Sequence, residues 1–347
     1  MTAQMHTQST MKAWTQDAYG DPSTFVQREI AVPVAADDEI LVRVQAVGLN
    51  AADWHLFRGR PYAARAAFGL RRPKNPVMGS DVAGVVVQVG SAVTSFAVGD
   101  EVMVEVQRGG LGELVAVKAK HAALKPTSFT FLEAATLPLA GGTALQALRD
   151  HGKVAAGERV LVIGASGGVG TRAVQIAVAL GAEVTGVCSA RNVELVRSLG
   201  AAHVVDYTTT DVLAAGTTYD VVVDMVGDIP LRSVRRLLSP GGRYVMVGGG
   251  EGGRILGPVF GPMGRTFGTF VLGAGGEKRS LHAAIAKRNG ADVEVLRQLA
   301  EAGSLQPAIE RVYAFDEARE ALAQIESGRV AGKLVIAVGH RAGEHHA

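Results

Sequence analysis

The sequence predicts an α/β protein in which a β-rich module is joined to a doubly wound parallel sheet. Three observations carry this. From Arg159 onward, short apolar runs alternate with helical segments, the pattern of a parallel sheet covered by helices. From Leu41 to Ala119 the apolar residues fall instead into valine-rich runs separated by Gly, Asp and Pro, a strand-and-turn texture. The length of 347 residues suits about two domains at roughly 150 residues each.

The elements follow in order. Met1–Thr10 is polar, without the basic start and apolar middle of a signal peptide, and reads as a frayed extension. LVRVQAVGL (41–49), DVAGVVVQVG (81–90), DEVMVEV (100–106) and ELVAVKA (113–119) read as strands. Leu132–Leu148 reads as helical, with Pro138 and Gly141–Gly142 breaking or kinking it. Then RVLVIG (159–164) is a buried-strand run and Gly168–Leu180 a helix. EVTGVC (183–188), HVVD (203–206), YDVVVDMVG (219–227) and GRYVMVG (242–248) are further strands, with helices at Asn192–Leu199 and Leu231–Leu238. A sixth strand is expected at Thr266–Leu272. Val293–Ala302 and Glu317–Ser327 read as helices, KLVIAV (333–338) as a strand, and HRAGEHHA (340–347) as a polar tail.

Composition excludes several function classes. Lys and Arg total 35 against 33 Asp and Glu, leaving +2 without a basic block, so neither nucleic acid nor an anionic membrane is an expected partner. Cys188 is the single cysteine, which rules out an internal disulfide and any cysteine-rich zinc or iron–sulfur site. Val160–Val187, the most apolar region, carries Arg172 and Glu183 and six glycines, whereas a bilayer span needs about 20 uninterrupted apolar residues. The cytoplasm is the expected location.

The glycine loop Gly164-Ala165-Ser166-Gly167-Gly168-Val169-Gly170 sits directly between a predicted strand and a predicted helix. In that context the spacing fits a dinucleotide site: the chain turns tightly, its backbone approaches a pyrophosphate, and the helix packs close to the sheet. The N–H groups at the helix start then hold the phosphates. A tight turn without a ligand is the plainer reading. The same residues also satisfy Gly-x-Ser-x-Gly, the nucleophile elbow of serine hydrolases. Ser166 would then draw on Asp224 or Asp228 and on His282; no His-Gly-Gly-type oxyanion loop precedes it, and the elbow does not require Gly170.

The corner after the second strand of this unit, Cys188-Ser189-Ala190-Arg191-Asn192, carries one guanidinium and no acid. An NAD-preferring site places Asp or Glu there to bind the ribose 2′-hydroxyl, while arginine pairs with phosphate in a fork. NADPH is therefore the expected cofactor, with Ser189, Arg191, Asn192 and Tyr207 around its 2′-phosphate and Val226 along its length.

In this arrangement the chain resembles the zinc-free, quinone oxidoreductase-like branch of the medium-chain dehydrogenase/reductase superfamily. The resemblance rests on AVGLNAADWHLFRG (46–59), GSDVAGVVVQVG (79–90), FAVGDEV (96–102), LPLAGGTALQAL (137–148), VLVIGASGGVG (160–170), AGSLQPAIERVYAFDEAREAL (302–322) and GKLVIAV (332–338). It implies a GroES-like catalytic domain (11–136, completed by 276–340) around a Rossmann domain (137–275), with tails at 1–10 and 341–347. It also implies an active site in the cleft and a homodimer.

Metal-dependent members use a Cys-Gly-x-Asp-type segment and Gly-His-Glu; here those places read Leu49-Asn50-Ala51-Ala52-Asp53 and Gly79-Ser80-Asp81. Zinc needs three or four Cys, His or carboxylate ligands in tetrahedral array, so no metal is expected. No tyrosine is followed by lysine four residues later, so alcohol–carbonyl chemistry lacks a visible acid–base pair. Hydride delivery to a quinone, or to the C=C of an α,β-unsaturated carbonyl, fits better.

The resemblance implies that Asn50 lies near the nicotinamide and acceptor and that Asp53 orders the same loop. Where relatives often carry a tyrosine this chain has His55, a candidate proton donor beside Tyr62. Thr143 is placed against the nicotinamide, and Gly248 and Gly249 let the backbone approach that half of the cofactor. Lys333 is a cleft-facing candidate. Three other readings stand beside this one: an enoyl-thioester reductase, a non-catalytic NADPH-binding regulatory protein, and the hydrolase using Ser166.

Overall fold

The computed structural model describes residues 9–248, 280–284 and 286–339. Strands β1 (Thr10–Gln16) and β2 (Phe25–Ala31) form an antiparallel hairpin that the sequence reading missed. Two larger sheets follow.

The first is β-rich. β3 (Glu39–Gly48) pairs antiparallel with β4 (Asp81–Val89), β4 with β5 (Glu101–Glu105), and β5 with β7 (Ala122–Leu124); β6 (Leu114–Lys118) pairs with β3 on its other side. Their valines supply the core, with Val42, Val82, Val86, Val102 and Val104 all fully buried. Helix α1 (Ala51–Arg58) follows β3 at once and ends at Gly59 in the left-handed region. Its sequence, AADWHLFR, buries only Asp53 and Phe57, which is why a periodicity search passes over it.

The second sheet is parallel throughout. β8 (Arg159–Ile163), β9 (Glu183–Cys188), β10 (His203–Asp206), β11 (Tyr219–Asp224), β12 (Leu238–Met246) and β13 (Ser280–Ala283) stand in the order β10-β9-β8-β11-β12-β13. In its own numbering that order is 3-2-1-4-5-6, whose direction reverses between β8 and β11 and opens a crevice there. The sixth position belongs to Ser280–Ala283; Thr266–Leu272, expected to fill it, lies outside the described residues. So do both expected tails, apart from Ser9 and Thr10.

The expected helix Leu132–Leu148 is two. One turn at Phe131–Ala134 is capped by Thr130 and Glu133, and α2 (Pro138–Gln146) begins afresh with Pro138 in its first turn. Proline is pre-set for that position because its missing N–H would have no partner there. The glycines at 141 and 142 do not break α2; Gly141 instead leaves room for Leu296 of α5 (Gly290–Glu301), whose side chain a Cβ would meet at 2.7 Å. α3 (Gly168–Ala179) and α4 (Val193–Ser198) cover the parallel sheet.

The chain then returns to the first sheet. β15 (Lys333–Ala337) pairs antiparallel with β3 and parallel with β14 (Ile309–Ala314), while α6 (Ala318–Glu326) packs its buried face on that side. The turn before β15 meets the parallel sheet's glycine loop, where the N–H of Gly332 donates to the carbonyl of Ser166 at 2.7 Å. One apolar cluster runs through both halves, from Ala46, Ala83 and Met103 to Leu145, Val160 and Val223. No helix among the described residues is long and apolar enough to cross a membrane.

Candidate functional site

The loop Gly164–Gly170 lies at the end of β8, at the point where strand order reverses. Gly170 is required there by packing: a Cβ would stand 2.1 Å from the carbonyl oxygen of Gly164 and 2.9 Å from two backbone atoms of Ala165. Gly167 caps α3 without a side-chain bond, so the first N–H groups of that helix face outward without a capping side chain. Such a terminus holds a phosphate, and the open space at Gly167, whose Cβ would have only the Gly164 oxygen at 3.6 Å, leaves room for one. The loop thus fits a dinucleotide. Ala165, expected to touch the cofactor, has its side chain fully buried in the core, and Val169 packs against that core.

The corner after β9 packs against the glycine loop. Asn192 Nδ2 donates to Ser166 Oγ at 2.9 Å and reaches Ser189 Oγ at 3.4 Å, which ties the corner to the loop. The backbone N–H of Tyr207 donates to the carbonyl of Cys188, at the end of β9, and its side chain is exposed. Arg191 is exposed and donates through Nη2 to the carbonyl of Arg329 at 2.8 Å. That contact brings Arg329, which sequence reasoning missed, alongside the corner from a segment 138 positions away.

Across the crevice, Asp224 Oδ1 accepts the N–H groups of Val226 and Gly227, and its Oδ2 accepts the hydroxyl of Tyr244 at 2.7 Å. This shapes the turn that carries Val226, half-exposed over the glycine loop. Gly248 is needed for a close approach, but to the protein: a Cβ would sit 1.8 Å from the carbonyl oxygen of Met225. Gly249 lies outside the described residues.

The hydrolase reading is overturned. Ser166 Oγ is bonded to an amide, Asp224 is spent on the turn and Tyr244, and His282 on β13 bonds Ser280 Oγ at 3.0 Å. Among the described residues, Ser166, Asp224 and His282 form no relay with one another.

The catalytic candidates meet in a buried polar network. Asn50 precedes α1 and its N–H donates to Asp53 Oδ2 at 2.8 Å, closing the first turn. Asp53 is fully buried and also accepts the hydroxyl of Ser80 at 2.5 Å. Burial pushes its carboxyl up to about 6, against the pull of the Ser80 and Asn50 hydrogen bonds. Asn50 Nδ2 donates to Asp81 Oδ2 at 2.9 Å, and the ammonium of Lys333 donates to Asn50 Oδ1 at 2.6 Å and to Asp81 Oδ2 at 3.1 Å. Asp81 Oδ1 accepts the N–H of Leu139 in the first turn of α2, the helix on which Thr143 is buried.

Two expectations change accordingly. Asn50 does not line the acceptor space, because both ends of its amide are committed and the residue is 5% exposed. Lys333 is not a cleft cation; it is 2% exposed, and its stem lies against Gly168, where a Cβ would meet its Cδ at 3.0 Å. It couples the glycine loop to the Asn50 network. Burial draws its ammonium below the usual lysine range, with Asp81 opposing.

Beside the network is an apolar cavity of about 380 Å³ whose wall includes Ala52, His55, Leu56, Phe68, Ser80, Glu105 and Leu139. His55 reaches it from α1 with its ring stacked on Trp54, centroids 3.7 Å apart. Tyr62 is not in this wall. It lies in a short turn after α1, 43% exposed, with the guanidinium of Arg65 over its ring at 4.7 Å. Asp81, Ser80 and Glu105 are the parts that the sequence reading did not single out. No group of three or more His, Cys, Asp or Glu residues able to hold a metal ion occurs among the described residues.

A crevice for a dinucleotide, closed by a second sheet that contributes an apolar pocket, defines a nicotinamide-dependent oxidoreductase. Comparison with known proteins agrees. Residues 36–129 match the alcohol dehydrogenase GroES-like domain and 199–336 the zinc-binding dehydrogenase domain. The chain is 32% identical to a chloroplast envelope quinone oxidoreductase homolog of Arabidopsis thaliana, over 94% of this chain and 98% of that one. It is also 32% identical to an NADPH-dependent alkenal/one oxidoreductase of the same plant, over 97% and 82%. The solved quinone oxidoreductase of Coxiella burnetii superposes with a TM-score of 0.80 at 29% identity, over 95% of this chain and 99% of that one. The chain belongs to the medium-chain dehydrogenase/reductase superfamily.

Proposed function

We propose that this oxidoreductase is a zinc-independent, NADPH-dependent reductase of quinones or of the C=C bond of α,β-unsaturated carbonyls. The observation that carries the reading is the buried ammonium of Lys333 between Asn50 and Asp81, beside an apolar cavity. In metal-dependent relatives the residues aligned with Asn50 and Asp81 belong to a zinc-binding shell; here they are saturated by one another and by a cation.

The bound cofactor supplies a hydride. The chain's own part is to orient. Asp53 and Ser80 fix the start of α1, the Asn50–Asp81–Lys333 network lies beneath it, and Leu56, Phe68 and Leu139 give the pocket an apolar wall. Arg191, with Ser189, Asn192 and Tyr207, receives the 2′-phosphate, which supports NADPH over NADH. The resemblance supports a homodimer, a proposal that light scattering tests.

The deciding assay is oxidation of NADPH, followed by its absorbance, with a quinone, an enone and a simple aldehyde, each with and without a metal chelator. Chelator-insensitive turnover of the quinone or enone with the aldehyde inert is expected. Turnover of the aldehyde that chelator abolishes refutes the reading.

A further inference from the structure

Glu105 is the last residue of β5, and its Cα stands in register with that of Asp81 at the start of β4. Directly opposed residues of an antiparallel pair project to the same face of the sheet, so the two carboxyl groups share a face. Asp81 is held by Lys333, Asn50 and the N–H of Leu139. Glu105 has no such support: no hydrogen bond or ion pair joins its carboxyl group to another described residue. It is partly buried and opens into the 380 Å³ cavity and into a neighbouring one of about 300 Å³. Among the described residues it is the sole carboxyl in the wall that also carries His55.

We propose that Glu105 is a catalytic residue of the reductase, the acid that protonates the enolate left when hydride has been added to an enone. The assignment rests on the function proposed above. The reduced nicotinamide gives a hydride to the β-carbon, a C–H bond forms, and the C=C electron pair moves onto the carbonyl oxygen as an enolate. The O–H bond of Glu105 then breaks, its proton joins the α-carbon, and the electron pair stays on the carboxylate. Water restores the proton through the open side of the cavity. The acceptor gains one hydride and one proton, and the cofactor is oxidised.

The surroundings favour the protonated acid at neutral pH. Burial and the facing Asp81 push the carboxyl up to about 8, while Arg288 and Lys333 draw it down. Arg108, just beyond β5, and His121 face the second cavity, and His55 faces the first. A general acid whose pKa lies near the working pH combines the correct protonation state with a useful driving force.

The test is Glu105→Gln, which keeps shape and removes the proton. Wild-type enone turnover should fall as pH rises past about 8, and the variant should lose at least about 100-fold in kcat and lose that alkaline limb. NADPH binding should be unchanged, and the variant should unfold no more easily than wild type at neutral pH, since Gln escapes the penalty of an acid held protonated in the fold. Independently of turnover, an infrared difference spectrum of wild type minus variant should show a protonated-carboxyl C=O band at neutral pH that disappears at high pH. If Glu105→Gln does not fold, Glu105→Asp should fold and retain the alkaline limb; its loss there counts against the assignment. A variant with wild-type kcat and pH profile, or no protonated band at neutral pH, overturns the role of Glu105 alone. Wild-type protein that reduces a quinone and no enone overturns this role and leaves the functional reading standing; wild-type protein that reduces neither overturns both.

Discussion

The ammonium of Lys333 donates to Asn50 Oδ1 at 2.6 Å, joining residues 283 positions apart inside a site where both are buried. A third member, Asp81, is fully buried and carries the opposing charge. The contact ties β15, the last strand, to the start of α1 and to the edge of the cofactor crevice.

Removing one partner of a buried ion pair leaves the other uncompensated, at roughly 3–5 kcal/mol. Lys333→Met should therefore lower the urea midpoint by an amount equivalent to several kcal/mol. Lys333→Met with Asp81→Leu should recover part of that loss, because no lone charge is left behind. Equal losses in the single and double variants would show that charge is not what couples these positions.

Asp53 gives a pH dependence of defined sign. Its carboxyl titrates at about 6 in the fold against 3.8 ordinarily, so the folded state holds the proton more tightly. The contribution to stability is full below pH 4 and fades as pH rises through about 6; above that, an ionised buried carboxylate works against folding. Asp53→Asn keeps an acceptor for the Asn50 N–H and cannot titrate. Chemical unfolding from pH 4 to 7 should show wild type losing ground to the variant, by an amount on the order of 2–3 kcal/mol. A constant gap would contradict this.

Arg191 sits at the corner with its guanidinium already steadied by the Arg329 carbonyl. Charge-assisted hydrogen bonds contribute roughly 1.5–3 kcal/mol. Arg191→Glu should thus cost about tenfold to a hundredfold in kcat/KM for NADPH and leave NADH much less affected. An unchanged preference between the two would remove Arg191 from the 2′-phosphate site.

Gly170→Ala places a Cβ against the Gly164 oxygen and Ala165 backbone, neither of which is a flexible chain end. Overpacking of this kind costs about 1–3 kcal/mol, and the loop must shift away from its phosphate-binding geometry. Weaker NADPH binding by calorimetry, with a lower thermal midpoint, is expected. Wild-type affinity in that variant would mean the loop has slack that its contacts do not suggest.

Much of the architecture was legible because it is written in local periodicity. The runs RVLVIG, EVTGVC, HVVD and YDVVVDMVG each match a strand of the parallel sheet to within a few residues. The hairpin β1–β2 and helix α1 escaped because their burial patterns are irregular: Phe25–Ala31 buries one residue of seven, and α1 buries two of eight. Pro138 was read as a break inside one helix when it begins another, since proline marks a boundary without saying on which side the helix lies.

By itself the sequence determined the parallel sheet, the glycine loop at a strand-to-helix turn and the arginine at the corner after the sheet's second strand. Each depends on residues close together in the chain. Only the tertiary structure decided that Asn50 is saturated, that Lys333 is buried beside Asp81, that Tyr62 stands outside the cavity, and that Glu105 faces Asp81. Those relations arise where β3, β4, β5 and β15 meet. A carboxylate's protonation and an amide's free valence depend on what surrounds them in space, and no spacing along the chain records that.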